Sequence, residues 1–394
     1  MRPSKMFTRK ISELIKKHGK SFPALILTGP RQSGKTTLLQ NLLPHYEYIN
    51  LERPDILMRV KEDPQTFITQ GNPLKIIDEA QNMPELFSYI QVAIDEKKNR
   101  HYILSGSQNF SLLASVSQSL AGRSALLQLL PLTYQEFLSA NKNHEKSPWW
   151  YIYNGSYPRP YHEKLDTELW YQSYITTYLE RDVRGFLKVK DLLKFQLFLK
   201  LCAGRHGQQL NISNLGNEAG ISQTQATHWL SFLEASYVLF RLPPYHNNFN
   251  KRLTKTPKLY FYDSAIVCQL LGIESPDHLK IHSSKGAIFE GFIITEIIKH
   301  FYNAGKKPPL YYWRDKSGLE IDLLIERGEQ LDTLEIKSTA TFQPNFIKPS
   351  LTFNQFCQQK KTRNYIIYSG DEDFTFKENS VYSWDKFILT YKTV

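Results

Sequence analysis

Cysteine is scarce: Cys202, Cys268 and Cys357 are the only three in 394 residues. Their wide separation excludes a disulfide framework or a cysteine-built metal site, and fits a reducing cytosol. Long apolar runs are missing as well. No stretch reaches transmembrane length and the N-terminus lacks an apolar signal core, so the expectation is a cytoplasmic protein with no membrane partner. No internal repeat or low-complexity tract occurs, which excludes a solenoid. Acidic residues are outnumbered, 38 Asp and Glu against 49 Lys and Arg, giving a net charge of +11 and a pI near 9.2. That balance favours an anionic partner, nucleic acid or an anionic surface. With 41% hydrophobic and 22% charged residues the chain is an ordinary globular protein, long enough for two or three domains.

The densest local signal is LILTGPRQSGKTTLL, Leu25–Leu39. An apolar run reads as a buried strand, then Gly29-x-x-x-x-Gly34-Lys35-Thr36 opens a helical pattern. This is the P-loop arrangement, in which backbone N–H groups and a helix N-terminus cradle phosphates. It assigns Gly29, Pro30, Arg31, Gln32, Ser33, Gly34, Lys35, Thr36 and Thr37 to ATP. Lys35 reaches the β- and γ-phosphates and Thr36 ligates Mg²⁺. Downstream, the apolar strand Leu74–Ile77 runs into Asp78-Glu79, a Walker B pattern. Asp78 would hold Mg²⁺ through water, and Glu79 would orient the attacking water. A nucleotide kinase has no use for that glutamate. No guanine-reading N/TKxD motif occurs, which leaves ATP as the default nucleotide.

A further strand, His101–Leu104, ends in Ser105-Gly106-Ser107-Gln108, and LAGR (120–123) precedes LLQLLPLTYQEFL, a strand and a turn into a helix. GPRQSGKTT, IIDEAQ, LSGSQ, LAGR and PLTYQEF, in this order, resemble the prokaryotic AAA-family ATPases that carry a C-terminal domain of unknown function. NGSYPRP (154–160), YLERDV (178–183) and KLYFYDSAI (258–266) continue the likeness, so it covers almost the whole chain. The resemblance implies an α/β fold: a P-loop NTPase core of the AAA+ type with a parallel sheet, then a winged-helix-like domain, then a C-terminal α/β restriction-endonuclease-like domain. It implies a γ-phosphate sensor at the tip of the strand beside Walker B, with Ser107 first and Ser105 second; a plain Ser/Gly turn is the alternative. It also implies an arginine acting between subunits of an oligomer. Arg123, Arg181 and Arg184 are open for that role, and Arg123 reads equally well as a surface residue. Boundaries fall at 1–140 for the ATPase, 141–205 for a helical lid or linker, 206–280 for the winged-helix-like region and 281–394 for the nuclease-like region. Within the second segment Trp149–Tyr153 reads as a folded loop, and the aromatics of 149–174 as helix packing rather than a base-stacking platform.

The middle region can be read from its residues. Ile212–Ala219 is a short helix and Gly220 a turn. Ser222-x-x-Gln225 opens a second helix with Ala226, Trp229, Leu230 and Leu233 on one face. Strands Tyr237–Leu242 and Leu259–Tyr262 flank a loop with Lys251, Arg252, Lys255 and Lys258, candidates for DNA phosphate contact. The exposed side of the second helix offers Gln223, Thr224, Thr227 and His228, with no arginine or lysine, so a packing or protein-partner role stands beside DNA contact.

In the last region GAIFEGFIITEIIKHF is an apolar helix, followed by strands Leu310–Arg314, Leu319–Glu326 and Leu331–Lys337. Strand alternation puts Glu335 and Lys337 on one face, and across the hairpin Asp322 would meet them. With Glu290 from the helix, preferred to Glu296, this makes the PD-(D/E)xK nuclease set of acids for Mg²⁺ and a lysine for developing charge. A solvated hairpin face with cross-strand ion pairs is the alternative. Phe342–Val394 supplies a helix, a strand at Asn364–Tyr368 and an edge strand near Val381. The whole reads as a Mg-ATP hydrolase that switches C-terminal modules acting on DNA, with nuclease activity an open part of that reading. Its rival is a nucleotide-switched protein-interaction ATPase with an inactive nuclease fold.

Overall fold

A computed structural model describes residues 7–19, 21–96, 99–107, 119–141, 147–179, 192–245, 256–357 and 360–391. Arg181, Arg184, Lys251, Arg252 and Lys255 lie outside the described residues.

The N-terminal sheet contains β1 (Ala24–Thr28), β2 (Glu47–Asn50), β3 (Leu74–Asp78), β4 (His101–Gly106) and β5 (Ser124–Gln128), in the order β2-β3-β4-β1-β5. All its pairings are parallel. Parallel strands covered on both faces read as unbroken apolar runs, and ALILT of β1 is buried at all five positions. Its alternate residues serve two cores. Ala24 and Ile26 pack with Leu86, Phe87 and Ile90; Leu25 and Leu27 pack with Ile11, Ile15 and Leu39. The P-loop and the Asp78-Glu79 pair therefore leave the same, C-terminal, edge of the sheet, where ligands of open α/β sheets bind.

In the middle region the helices Ile212–Glu218 and Gln223–Ala235 follow one another, the second opened by Ser222, whose side chain accepts from the Gln225 N–H; Ser264–Leu270 and Pro276–Ile281 are helical as well. A small antiparallel sheet brackets them, with β6 (Gln208–Gln209) before the two helices and β7 (Leu239–Leu242) and β8 (Lys258–Phe261) after them, in the order β6-β8-β7. The C-terminal sheet has six strands: β9 (Leu310–Arg314), β10 (Glu320–Arg327), β11 (Gln330–Lys337), β12 (Lys361–Tyr368), β13 (Phe374–Phe376) and β14 (Asn379–Ser383), ordered β13-β14-β12-β11-β10-β9. The long helix Lys285–Asn303 packs against β11. One continuous apolar core, from Leu130 through Tyr151, Phe198, Trp229, Leu259 and Phe289 to Ile388, runs from the end of the first sheet through the middle region into the C-terminal sheet, where two smaller clusters, around Trp313 and Phe353 and around Phe346 and Val381, stand apart from it.

Two local expectations are corrected. Trp149–Tyr153 is not a loop but part of the helix Pro148–Asn154: Pro148 fits the first turn, whose N–H has no intrahelical partner, and Tyr151, Ile152 and Tyr153 face the core. The strand around Val381 is interior, because β13 pairs with its outer side. Among the described residues no helix is long and apolar enough to cross a membrane.

Candidate functional site

β1 ends at Thr28 and the chain turns at once through Gly29, whose φ is +151°. A Cβ there would stand 2.1 Å from the Leu129 carbonyl oxygen, so this turn requires glycine. Gly34 then opens the helix Lys35–Leu42. The Lys35 ammonium is buried and donates to the carbonyls of Gly29 and Pro30, each at 2.8 Å. Burial, with Arg31 adding to it, pushes its pKa down to about 8 against the pull of Glu79 and Asp78.

Next to the loop, the Thr36 hydroxyl donates to Asp78 Oδ2 at 2.6 Å. The same carboxylate accepts from Tyr48 Oη at 2.8 Å and from Ser105 Oγ at 2.6 Å. A hydroxyl and a carboxylate side by side are the hard oxygen donors that suit Mg²⁺, so these residues fit that ion. Glu79 is in the left-handed region, φ 53°, which turns its side chain away from the run of β3. Its carboxylate accepts from Gln81 Nε2 and, at 3.4 Å, from Ser107 Oγ. The two serines at the tip of β4 are thus divided, Ser105 to Asp78 and Ser107 to Glu79.

Lys35, Thr36 and Glu79 border a cleft of about 810 Å³ whose other walls include Phe7–Arg9 and the helix Pro158–Glu163, with Arg159 and His162. Arg9 fixes one wall: it is buried, donates to Ser33 O at 2.8 Å and Leu130 O at 2.6 Å, and pairs with Glu136 at 3.1 Å. The P-loop, Walker B and Ser107 positions were read from sequence; Tyr48, Arg9 and the Pro158–Glu163 wall were not. The one signal for the last was NGSYPRP, seen only as part of the resemblance. Arg123 does not join the site. It precedes β5, level with the start of β1, and forms an ion pair with Asp95 at 2.7 Å at the sheet edge away from the P-loop.

A second cluster forms where the helix Lys285–Asn303 meets β10 and β11. Asp322 Oδ2 accepts from the Ile336 N–H at 2.7 Å and lies 3.4 Å from Lys337 Nζ, which also contacts Glu335. Glu290 joins them electrostatically: burial raises its pKa to about 7, opposed by Lys258 and reinforced by Asp322 and Glu320. Burial and Asp322 likewise hold the Glu335 carboxyl well above the ordinary range. Glu296 sits elsewhere, accepting from the Tyr134 N–H and pairing with Lys299. Lys258 is a correction. It is not on an exposed basic face; it is 3% exposed and paired with Glu290 at 3.1 Å and with Glu320. Burial among carboxylates makes it unavailable to a phosphate backbone.

The parallel sheet, the P-loop and the paired carboxylates at its edge define an AAA-type P-loop ATPase, and residues 21–138 match the AAA domain family. Residues 146–277 and 285–387 match two domains of unknown function, DUF8612 and DUF4143. The chain is 30% identical over 368 residues to the uncharacterized proteins Rv2008c of Mycobacterium tuberculosis and Mb2031c of Mycobacterium bovis, spanning 91% of this chain and 79% of each relative. It belongs to their family. The uncharacterized protein MJ1544 of Methanocaldococcus jannaschii is 21% identical over 346 residues, 79% of this chain and 74% of that one. Among solved structures, a Walker-type ATPase of Pyrococcus abyssi superposes with a TM-score of 0.46 at 16% identity, covering 67% of this chain and 96% of its own.

Proposed function

We propose that this AAA-type ATPase hydrolyses Mg-ATP in the cleft above β1 and β3, and that its nucleotide state is passed to a winged-helix-like middle region and a nuclease-like C-terminal region acting on DNA. The observation that carries the first half is the Thr36–Asp78 contact beside Lys35 and Glu79. Thr36 and Asp78 would hold Mg²⁺, which supplies charge neutralisation between the β- and γ-phosphates when bound. Lys35 holds the phosphate oxygens, Glu79 orients the attacking water, and Ser107 keeps Glu79 in place as well as sensing the γ-phosphate. Arg123, paired with Asp95, is not at the cleft in its own chain, and an arginine from a second copy would act there as the resemblance to AAA+ ATPases implies.

The convergence of Asp322, Glu335 and Lys337 supports the nuclease-like reading of the C-terminal region. The experiment is cleavage of labelled single-stranded, duplex and forked DNA with Mg²⁺ or Mn²⁺, with and without ATP, beside Asp322→Ala. Cleavage lost in the variant fixes the site; no cleavage on any substrate with ATP turnover intact removes the nuclease reading. The second reading, a nucleotide-switched interaction protein, is favoured by the polar, uncharged exposed side of the Gln223–Ala235 helix. Strongly salt-dependent DNA binding would favour the first reading, and its absence the second.

A further inference from the structure

Three elements from different parts of the chain meet on one ammonium. Lys258 opens β8, in the middle sheet, yet its Nζ pairs with Glu290 of the Lys285–Asn303 helix at 3.1 Å and with Glu320 of β10. It also lies 5.5 Å from the centre of the Tyr312 ring in β9. Tyr260, two residues on and so on the same face of β8, donates its hydroxyl to the same Glu290 oxygen. On the far side of the cluster Lys337 engages Asp322 and Glu335. The acids that a metal would draw together are thus held apart by two ammonium groups. Among the described residues no set of three metal-ligating side chains converges on a common point. One atom is left over: Glu335 Oε2 is buried and has no hydrogen-bond partner.

We propose that Lys258 is the resident cation of this acidic cluster, occupying the place of a divalent metal, so that the C-terminal site is closed to metal while β8 is docked. The proposal rests on the nuclease-like reading of Glu290, Asp322, Glu335 and Lys337, and changes what that reading demands. Buried carboxylates that lose their counter-charge must find another or take up protons. Removing the ammonium alone therefore leaves Glu290 without its counter-charge beside Asp322 and Glu335 and lets these acids draw together on a metal, with Glu335 Oε2 the oxygen that has no hydrogen-bond partner. Lys258 is a gate supplied by the middle region, and its withdrawal is what loading the site with metal would require.

The test uses the full chain without nucleotide and Mn²⁺ as the probe, followed by electron paramagnetic resonance and by the shift in Tm. Wild type shows no Mn²⁺ binding that depends on Asp322. Lys258→Met gains one site, at least tenfold tighter than any in wild type, and the gain disappears when Asp322→Asn is added. Lys258→Arg, which keeps the charge, gains none. A single cooperative melting transition and an unchanged near-ultraviolet circular dichroism spectrum report that each variant is folded; should Lys258→Met fail that check, Lys258→Gln and the wild-type titration carry the test. Wild-type Mn²⁺ binding abolished by Asp322→Asn overturns the proposal, as does a folded Lys258→Met or Lys258→Gln that gains no site. A Mn²⁺-loaded Lys258→Met that cuts no DNA supports the gate and removes the nuclease activity, so the two failures are distinct.

Discussion

The hydroxyl oxygens of Thr28 and Tyr237 lie 2.7 Å apart, both buried, joining the residue before the P-loop to the turn before β7. The contact ties the nucleotide edge of the first sheet directly to the middle region. Tyr237 holds a left-handed backbone, φ 57°, so the surrounding packing fixes its position. Tyr237→Phe leaves the Thr28 hydroxyl with only its long 3.4 Å contact to Leu127 O, and should cost about 1–3 kcal/mol. Thr28→Val should cost a similar amount, and the double variant less than the sum, by about 1 kcal/mol. Urea unfolding of the four proteins checks this. Additive losses would mean the pair is not a bond.

Nucleotide binding should take up protons. Lys35 has a pKa of about 8 before ATP arrives, and phosphate oxygens beside it favour the charged form. At pH 8 ATP binding should therefore draw in about half a proton, falling toward none by pH 6.5. Calorimetry in buffers of differing ionisation enthalpy reads the number directly. Uptake independent of pH between 6.5 and 8 would mean that Lys35 is already fully charged.

Glu79→Gln should keep ATP affinity within a few-fold and lower turnover by about 10²–10⁴. Asp78→Asn should instead lose its response to Mg²⁺, and Lys35→Ala should lose ATP affinity itself. Phosphate release together with fluorescent-nucleotide binding separates the three.

Arg9→Ala should act at a distance from the phosphates. It leaves Glu136, which is fully buried, without its counter-charge and with the Lys10 and Thr133 N–H groups as donors, and frees Ser33 of the P-loop from its clamp. Breaking a buried pair on one side costs about 3–5 kcal/mol, so the variant should melt well below wild type and bind ATP more weakly. An unchanged Tm would show that the pair carries no weight.

Acid should destabilise the junction around His206. Burial pushes its pKa down to about 3, with Nδ1 accepting the Phe261 N–H at 3.2 Å and Gly291 passing close to Nε2. In the unfolded chain this group titrates near 6.5, so below that pH the unfolded state binds the extra proton. Its contribution is intact above about 6.5 and drains away as pH falls toward 3. His206→Asn, which can keep an acceptor for Phe261, should have a lower Tm at pH 7 but a flatter decline between pH 6.5 and 5. Parallel declines would exclude His206 as a source of the acid sensitivity.

What could be read in advance was what lies close along the chain or repeats with a simple period. Gly29 to Thr36 is contiguous, and Asp322, Glu335 and Lys337 follow from strand alternation across a short hairpin. Lys258 could not be found that way. Its partner Glu290 is 32 residues on, and four basic residues flanking a loop suggest solvent rather than a carboxylate pocket. Arg123 was more legible than the reading allowed. It stands before a parallel strand, whereas the ligand edge is where such strands end. Tyr48 and Arg9 reach the site through the register of β2 and through packing, for which local sequence carries little signal.

The shared core after Leu130 has a consequence for anyone dividing this chain. Boundaries near 205 and 280 are positions in the sequence with no seam in the packing, because Phe198, Trp229, Leu259 and Phe289 belong to one apolar body. Cutting at either place would bare oily surface on both fragments and yield inclusion bodies rather than two working parts. The pieces that can be expressed separately are therefore fewer than the pieces that can be named.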